Sequence, residues 1–308
     1  MKAFQLTATR KAEIVEIDRP RPGHGEVVVE LMAGAICNQS DLRAFSRQHD
    51  TPLEAGFPGH EGVGRVVEVG PGVSSLRCGH VVCMTGHGGP PLYREYVLRQ
   101  ANTLIALMGD VDPLPAACLE LYGCVWRAIR MAGDLGQSAV VVNGLGPGGL
   151  AAVQLLRTFH TGLVVGVDPV ADRRERAVEG GADVVVDPTD EDALGRLVAS
   201  NPPTVIDCTG HPAGVAGAMR IAWRQVVYFG VCFEPVECRQ YDWFEKELVL
   251  RNSRQLDIHD FGHVVNMYAA GQIEPARLVT HQLHFSDYAT AMELLKAGQA
   301  IKILLTWS

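Results

Sequence analysis

The chain has 308 residues, 47% of them apolar, and a formal net charge of -8. Such a length exceeds what one hydrophobic core usually holds, so two domains are expected, and an acidic chain without a Lys/Arg tract excludes a phosphate-gripping nucleic-acid surface. No run approaches the roughly 18 apolar residues of a membrane span, the first residues lack the apolar core of a signal peptide, and the eight cysteines form no Cys-x-x-Cys pair. Reduced thiols in a cytoplasmic protein with no membrane partner are the expectation.

Residues 1 to about 115 read as short strands with turns: 13–17, then 26–31 after Pro20-Arg21-Pro22-Gly23, then 64–69 before Gly70-Pro71-Gly72. This is a β-rich domain. Near Asp112-Pro113-Leu114-Pro115 the regime changes, and a helix over 116–131 leads to the β-branched run 138–143. Strands at 163–167, 183–186, 204–206 and 225–229 then alternate with helices at 148–159, 171–179 and 191–200. Such βαβ repetition predicts a parallel, doubly wound sheet. Beyond about residue 261 come a helix, a strand at 280–285, a helix at 287–297 and a terminal strand at 301–305, a tail expected to return to the first domain. The predicted division is 1–120 with 265–308, and 121–264.

Three residues carry metal chemistry. Cys37 precedes Gly59-His60-Glu61-Gly62-Val63-Gly64, and Glu120 stands at the head of the predicted helix. Taken singly, a buried cysteine is usually an inert small hydrophobe, and a lone histidine is more often a satisfied polar residue than a ligand. Together, thiolate, imidazole and carboxylate are the donors a catalytic zinc takes, and three of them leave a tetrahedral position for a substrate oxygen.

A second motif follows the strand at 140–142. Gly144-Leu145-Gly146-Pro147-Gly148-Gly149 has the Gly-x-Gly-x-x-Gly spacing and runs into the helix that opens with Leu150. In that context it predicts a dinucleotide site, because glycines allow close backbone approach and a helix N-terminus presents unpaired N–H groups to a pyrophosphate. Asp168 ends the next strand, where an acid accepts hydrogen bonds from the adenosine ribose and repels a 2′-phosphate, so NAD is favoured over NADP, with Arg173 and Arg174 softening that preference. Cys208, Thr209, Gly230 and Val231 close later strands on the same carboxyl edge and are expected to line the nicotinamide side.

The order of these parts resembles the zinc-dependent alcohol dehydrogenases of the medium-chain dehydrogenase/reductase superfamily, over essentially the whole chain. Its carriers are Pro22-Gly23-His24-Gly25-Glu26-Val27, Gly34-Ala35-Ile36-Cys37, the run from Gly59 to Gly64, the glycine turn at Gly144 to Gly149, and Ile301-Lys302-Ile303. The resemblance implies an α/β chain with a GroES-like β-rich catalytic domain and a Rossmann cofactor domain. It also implies zinc held by Cys37 and His60, with Glu61 able to enter or leave the metal shell. Ala117-Cys118-Leu119-Glu120-Leu121 is similar to the polyol and threonine dehydrogenase branch, which makes Glu120 the third ligand, with Cys118 and Cys124 as competitors.

The implied reaction is hydride transfer between NAD and a secondary alcohol or its ketone, of polyol, amino alcohol or cyclitol type, in a homodimer or homotetramer. Ser40 and Asp41 sit one position later than the family's hydroxyl residue and aspartate, which unsettles Ser40 as proton relay and Asp41 as the residue orienting His60. Residues 81–88 proceed directly to residues 90–96 with no four-cysteine lobe, so one catalytic ion and no structural zinc are expected. The competing readings are a zinc-free NAD(P)H reductase of the same superfamily and a nucleotide-binding protein without turnover.

Overall fold

The structure is a computed structural model describing residues 1–307. The chain divides into two compact units, one comprising Met1–Glu120 and the segment from Phe261 onward, the other Leu121–Asp260.

In the first unit, β1 (Lys2–Ala8) and β2 (Lys11–Glu16) make an antiparallel ribbon, followed by β3 (Glu26–Ala35), the short helix α1 (Ser40–Ser46), β4 (Glu61–Val69), β5 (Val81–Thr85), β6 (Tyr96–Gln100) and β7 (Ile105–Ala106). Strand β3 is the axis of the sheet and pairs antiparallel with both β4 and β6. Val27, Val28 and Val29 are all buried, so β3 is covered on both faces and reads as an apolar run rather than an alternation.

The second unit holds α2 (Leu119–Met131) from Leu121 on, β8 (Val140–Asn143), α3 (Pro147–Arg157), β9 (Val164–Val167), α4 (Ala171–Glu179), β10 (Val184–Val186), α5 (Glu191–Ala199), β11 (Thr204–Asp207), α6 (Pro212–Ile221), β12 (Gln225–Tyr228), α7 (Tyr241–Phe244) and β13 (Val249–Asn252). Its six strands are parallel, in the order β10-β9-β8-β11-β12-β13. The chain leaves β8 toward β9 on one side and later returns to β11 on the other. That reversal opens a crevice at the carboxyl ends of β8 and β11, the place where ligands of such sheets bind.

Helix α8 (Ile258–Ala269) leads into the tail, where β14 (Val279–His284) and β15 (Lys302–Thr306), joined through α9 (Tyr288–Lys296), complete the first unit's seven-stranded sheet. Strand β15 lies between β14 and β3, and Ile36 N–H donates to the Ile303 carbonyl at 2.9 Å. The terminal segment is thereby zipped onto the stretch that leads into Cys37.

The elements depart from the periodicity reading where local chemistry is weak. The helix read over 116–131 begins as a 3-10 turn, Leu114–Cys118, and becomes α-helical at Leu119. Helix α6 escapes the reading because Gly214 and Gly217 dilute its propensity. Gly214 is needed, since a side chain there would collide with the Thr209 hydroxyl. Among the described residues no helix is long and apolar enough to cross a membrane.

Candidate metal centre and nucleotide turn

Cys37 follows β3 and His60 immediately precedes β4, so the pairing of these two strands brings residues 23 positions apart in the chain side by side. The ligand atoms of Cys37, His60 and Glu61 all lie within 4.8 Å of one another. His60 Nδ1 lies 2.8 Å from the Pro58 carbonyl. A carbonyl only accepts, so Nδ1 carries the proton, and the Cys37 sulfur is bonded by Nε2.

Burial draws the His60 pKa down, but the hydrogen bond to Cys37 and the charges of Cys37, Glu120 and Glu61 outweigh it and hold the imidazole well above its ordinary value. Without a metal the imidazole therefore favours its protonated form beside the Cys37 sulfur. The proton on Nε2 occupies the place a divalent cation would take, and its release on metal binding is the normal exchange at such sites. The donor set thus fits zinc, with the Pro58 carbonyl fixing the ring as outer-shell partners of metal-bound histidines do.

Glu61 is 1% exposed and faces Lys302, also 1% exposed, whose Nζ lies 2.8 Å from both carboxylate oxygens. Burial would discharge this ammonium, but the Glu61 carboxylate beside it outweighs burial and raises its pKa. In the sequence Lys302 stands in the closing triplet Ile301-Lys302-Ile303. Its signal is a lysine inside the apolar run Ile301-Lys302-Ile303-Leu304-Leu305, since a buried cation requires a partner.

Glu120, in the first turn of α2, acts on His60 by charge but lies outside the tight group of donors. Of its competitors, Cys118 is fully buried, its thiol pushed up to about 12 by burial, a neutral packing group outside the donor cluster. Cys124 lies on α2 in the second unit.

Ser40 opens α1, and its Oγ is buried with no hydrogen-bond partner among the described residues. Asp41 does not hydrogen-bond His60, whose Nδ1 is committed to Pro58. Instead its Oδ2 accepts the Cys37 N–H at 3.0 Å while its own N–H donates to the Cys37 carbonyl at 3.0 Å. Burial raises the Asp41 carboxyl to about 6 against the lowering effects of His60, Tyr288, Tyr93 and the Cys37 N–H.

In the second unit the glycine turn joins β8 to α3. Gly144 has φ +86°, a conformation that favours glycine. A side chain on Gly149 would collide with the Gly144 carbonyl, so helix and turn pack only without one. At Gly146, the N-cap of α3, a Cβ would meet nothing within 4 Å, and Pro147 opens the helix without needing an N–H partner. This open cradle at a helix N-terminus fits a pyrophosphate. Gly148 packs against the Phe229 ring, and Leu150 is buried behind the turn.

Asp168 is 3% exposed, and its carboxylate accepts the N–H groups of Leu145 at 2.8 Å and Val170 at 2.9 Å, with Arg173 3.6 Å away. It buttresses the turn. Arg174 donates to the Asp168 carbonyl and pairs with Asp187, so its guanidinium is committed. Thr209 touches Gly144 and gives its hydroxyl to Asp207, while Gly230 lies against Cys208 and Gly210, which lies against Val231. The predicted residues Cys208, Thr209, Gly230 and Val231 thus gather at one edge, with Val231 48% exposed.

Comparison with known proteins agrees with both halves. Residues 23–109 match the alcohol dehydrogenase GroES-like domain and residues 147–270 the zinc-binding dehydrogenase domain. The chain is 26% identical to the sorbitol dehydrogenase of Halalkalibacterium halodurans, covering 99% of both chains. It is 25% identical to the L-threonine 3-dehydrogenase of Pyrococcus horikoshii over 95% of this chain and 94% of that one. The crystal structure of an alcohol dehydrogenase, rspB, from Escherichia coli CFT073 in complex with NADH superposes with a TM-score of 0.86 at 27% identity, covering 100% and 99% of the two chains. The chain belongs to the zinc-dependent alcohol dehydrogenases of the medium-chain dehydrogenase/reductase superfamily.

Proposed function

We propose that this protein interconverts a secondary alcohol of polyol, amino alcohol or cyclitol type and its ketone, using NAD and one catalytic zinc without a structural ion. The observation that carries the reading is the convergence of Cys37, His60 and Glu61 within 4.8 Å. When bound, zinc supplies Lewis acidity toward the alcohol oxygen and the nicotinamide accepts the hydride.

Cys37 and His60 hold the metal, Glu120 is the third donor, and Glu61, tethered by Lys302, is the carboxylate that exchanges with it. Charge supports this division: Cys37, Glu61 and Glu120 bring three anions, balanced by the Lys302 ammonium and a divalent ion. The Ser40 hydroxyl, buried and without a partner among the described residues, is available to hand on the alcohol proton. The turn from Gly144 to Gly149 receives the pyrophosphate. Asp168 places a negative charge behind it that disfavours a 2′-phosphate, which supports NAD, as does the NADH held by the rspB relative.

Edge strand β13, with Val249 and Leu250 more than 40% exposed, supports a homodimer or homotetramer. No cysteine among the described residues is in a disulfide, which supports a reducing, cytoplasmic setting. The test measures zinc content together with NADH formation from a panel of polyols, amino alcohols, cyclitols and simple secondary alcohols. About one zinc per chain is expected, with turnover abolished in a Cys37→Ser, His60→Ala double variant. Turnover that survives this change would overturn the assignment.

A further inference from the structure

The Asp41 carboxylate that holds the Cys37 backbone is itself held by two phenols. Tyr288 Oη donates to Asp41 Oδ1 at 2.8 Å, and Tyr93 Oη lies 3.0 Å from the same oxygen and 3.1 Å from the Ala35 carbonyl. Asp41, Tyr93 and Tyr288 are all fully buried, so neither phenol can meet a substrate. With Oδ1 fixed from one side by two hydroxyls, Oδ2 has one direction left, toward the Cys37 N–H.

Tyr93 also reaches the other ligand. A Cβ on Gly59, the residue before His60, would collide with the Tyr93 ring, and one on Gly34, three residues before Cys37, would sit 2.8 Å from it. The ring therefore lies flush against both ligand-bearing segments, and only glycines admit it. Backbone bonds fix it there, since Tyr93 N–H donates to Gly56 at 3.2 Å and Leu92 N–H to Gly59 at 2.9 Å. Tyr288 arrives from α9 in the tail and is seated by Phe4, with ring centroids 4.3 Å apart.

We propose that Tyr93 and Tyr288 are positioning residues for the metal centre, acting through Asp41 to set the backbone of Cys37 and, for Tyr93, the approach of His60. The phenol pair takes the place of the direct aspartate-to-histidine bond, which Asp41 does not make. This inference rests on the assignment of Cys37 and His60 as zinc ligands. It goes further in saying that the geometry of those ligands is set by hydroxyls from β6's leading loop and from the tail.

The test compares Tyr288→Phe and Tyr93→Phe with Tyr228→Phe, which removes a phenol hydrogen bond to the Val215 carbonyl in the second unit. For each full-length protein one measures the zinc dissociation constant against a competing chelator, the thiolate-to-metal absorption of the cobalt-substituted form, and the unfolding temperature of the chelator-treated form. Loss of an outer-shell partner commonly weakens metal binding about 10–100-fold. That loss, with a shifted cobalt band, is expected for the Tyr288 and Tyr93 variants and for Asp41→Asn, and not for Tyr228→Phe, whatever each does to unfolding temperature. The clamp is overturned if the first three bind zinc within threefold of the parent while losing stability as the control does. Should the parent protein show no thiolate band, or keep one in Cys37→Ser, the ligand assignment itself fails and the clamp falls with it.

Discussion

The two functional regions of this molecule are assembled in opposite ways. The nucleotide turn is contiguous: the six residues from Gly144 to Gly149, running from the end of β8 into the first turn of α3, supply the bend, the close approach and the helix N-terminus, and its main support, Asp168, follows the neighbouring strand. The metal centre is dispersed, since Cys37, His60, Glu61 and Lys302 come from three strands or their ends, with Lys302 separated from Glu61 by 241 positions. A contiguous site is dictated by backbone sterics, whereas a dispersed one depends on buried charges being matched after the sheet has closed. Damage to each should follow its own physics.

The largest effect is expected at the dispersed site. Replacing Lys302 by Met leaves Glu61 buried without its cation, and breaking one half of a buried pair typically costs about 3–5 kcal/mol. Urea unfolding of Lys302→Met should show a loss of that order, and Lys302→Met, Glu61→Leu should recover most of it, because an apolar pair needs no compensation. A double variant no more stable than the single one would mean that packing, not charge, is the function of Lys302. NAD binding in the second unit should be nearly unchanged in either.

The complementary break is Gly149→Ala. The added methyl meets the Gly144 carbonyl, a backbone atom that can yield only by opening the turn, so the cost belongs near the upper end of the 1–3 kcal/mol typical of overpacking. Titration with NADH should show at least a tenfold loss of affinity while the zinc content of the purified protein stays that of the parent. If zinc is lost as well, the two regions are not independent and the contrast drawn between them fails.

This contrast explains what could be read from residues alone. The glycine turn, the parallel sheet and the His60 run are local signals, and the comparisons confirm the fold they announced. Tyr93 and Tyr288 carry no such signal: a tyrosine in a strand-rich domain reads as core until the fold shows its hydroxyl aimed at Asp41. The one-residue shift after Cys37 is visible in the sequence and unsettles a bond from Asp41 to His60, but does not show where the carboxylate turns instead. A one-residue shift after Cys37 reaims the carboxylate from a ring to a backbone N–H, a change of direction that residue types do not encode.

The smallest expected effect concerns pH and the carboxylate beside the nucleotide edge. Asp207 is fully buried at the end of β11, and burial raises its pKa to about 6 against the hydrogen bonds from Asn143 and Thr209. For an acid with a raised folded-state pKa, the native state binds the extra proton. Its stabilising share is therefore complete below the unfolded value near 3.8 and is lost as pH climbs through about 6. Between pH 5 and 7.5 that loss amounts to roughly 1.4 kcal/mol, a tenfold change in the unfolding equilibrium. Asp207→Asn keeps an oxygen to accept from Asn143 and cannot ionise, so its stability relative to the parent should rise by about that amount over the same interval. Asp41, raised to about 6 in the first unit, titrates in the same window in both proteins and cancels in the difference. A pH-independent difference would place Asp207 in a wetter, better-solvated setting than its burial implies.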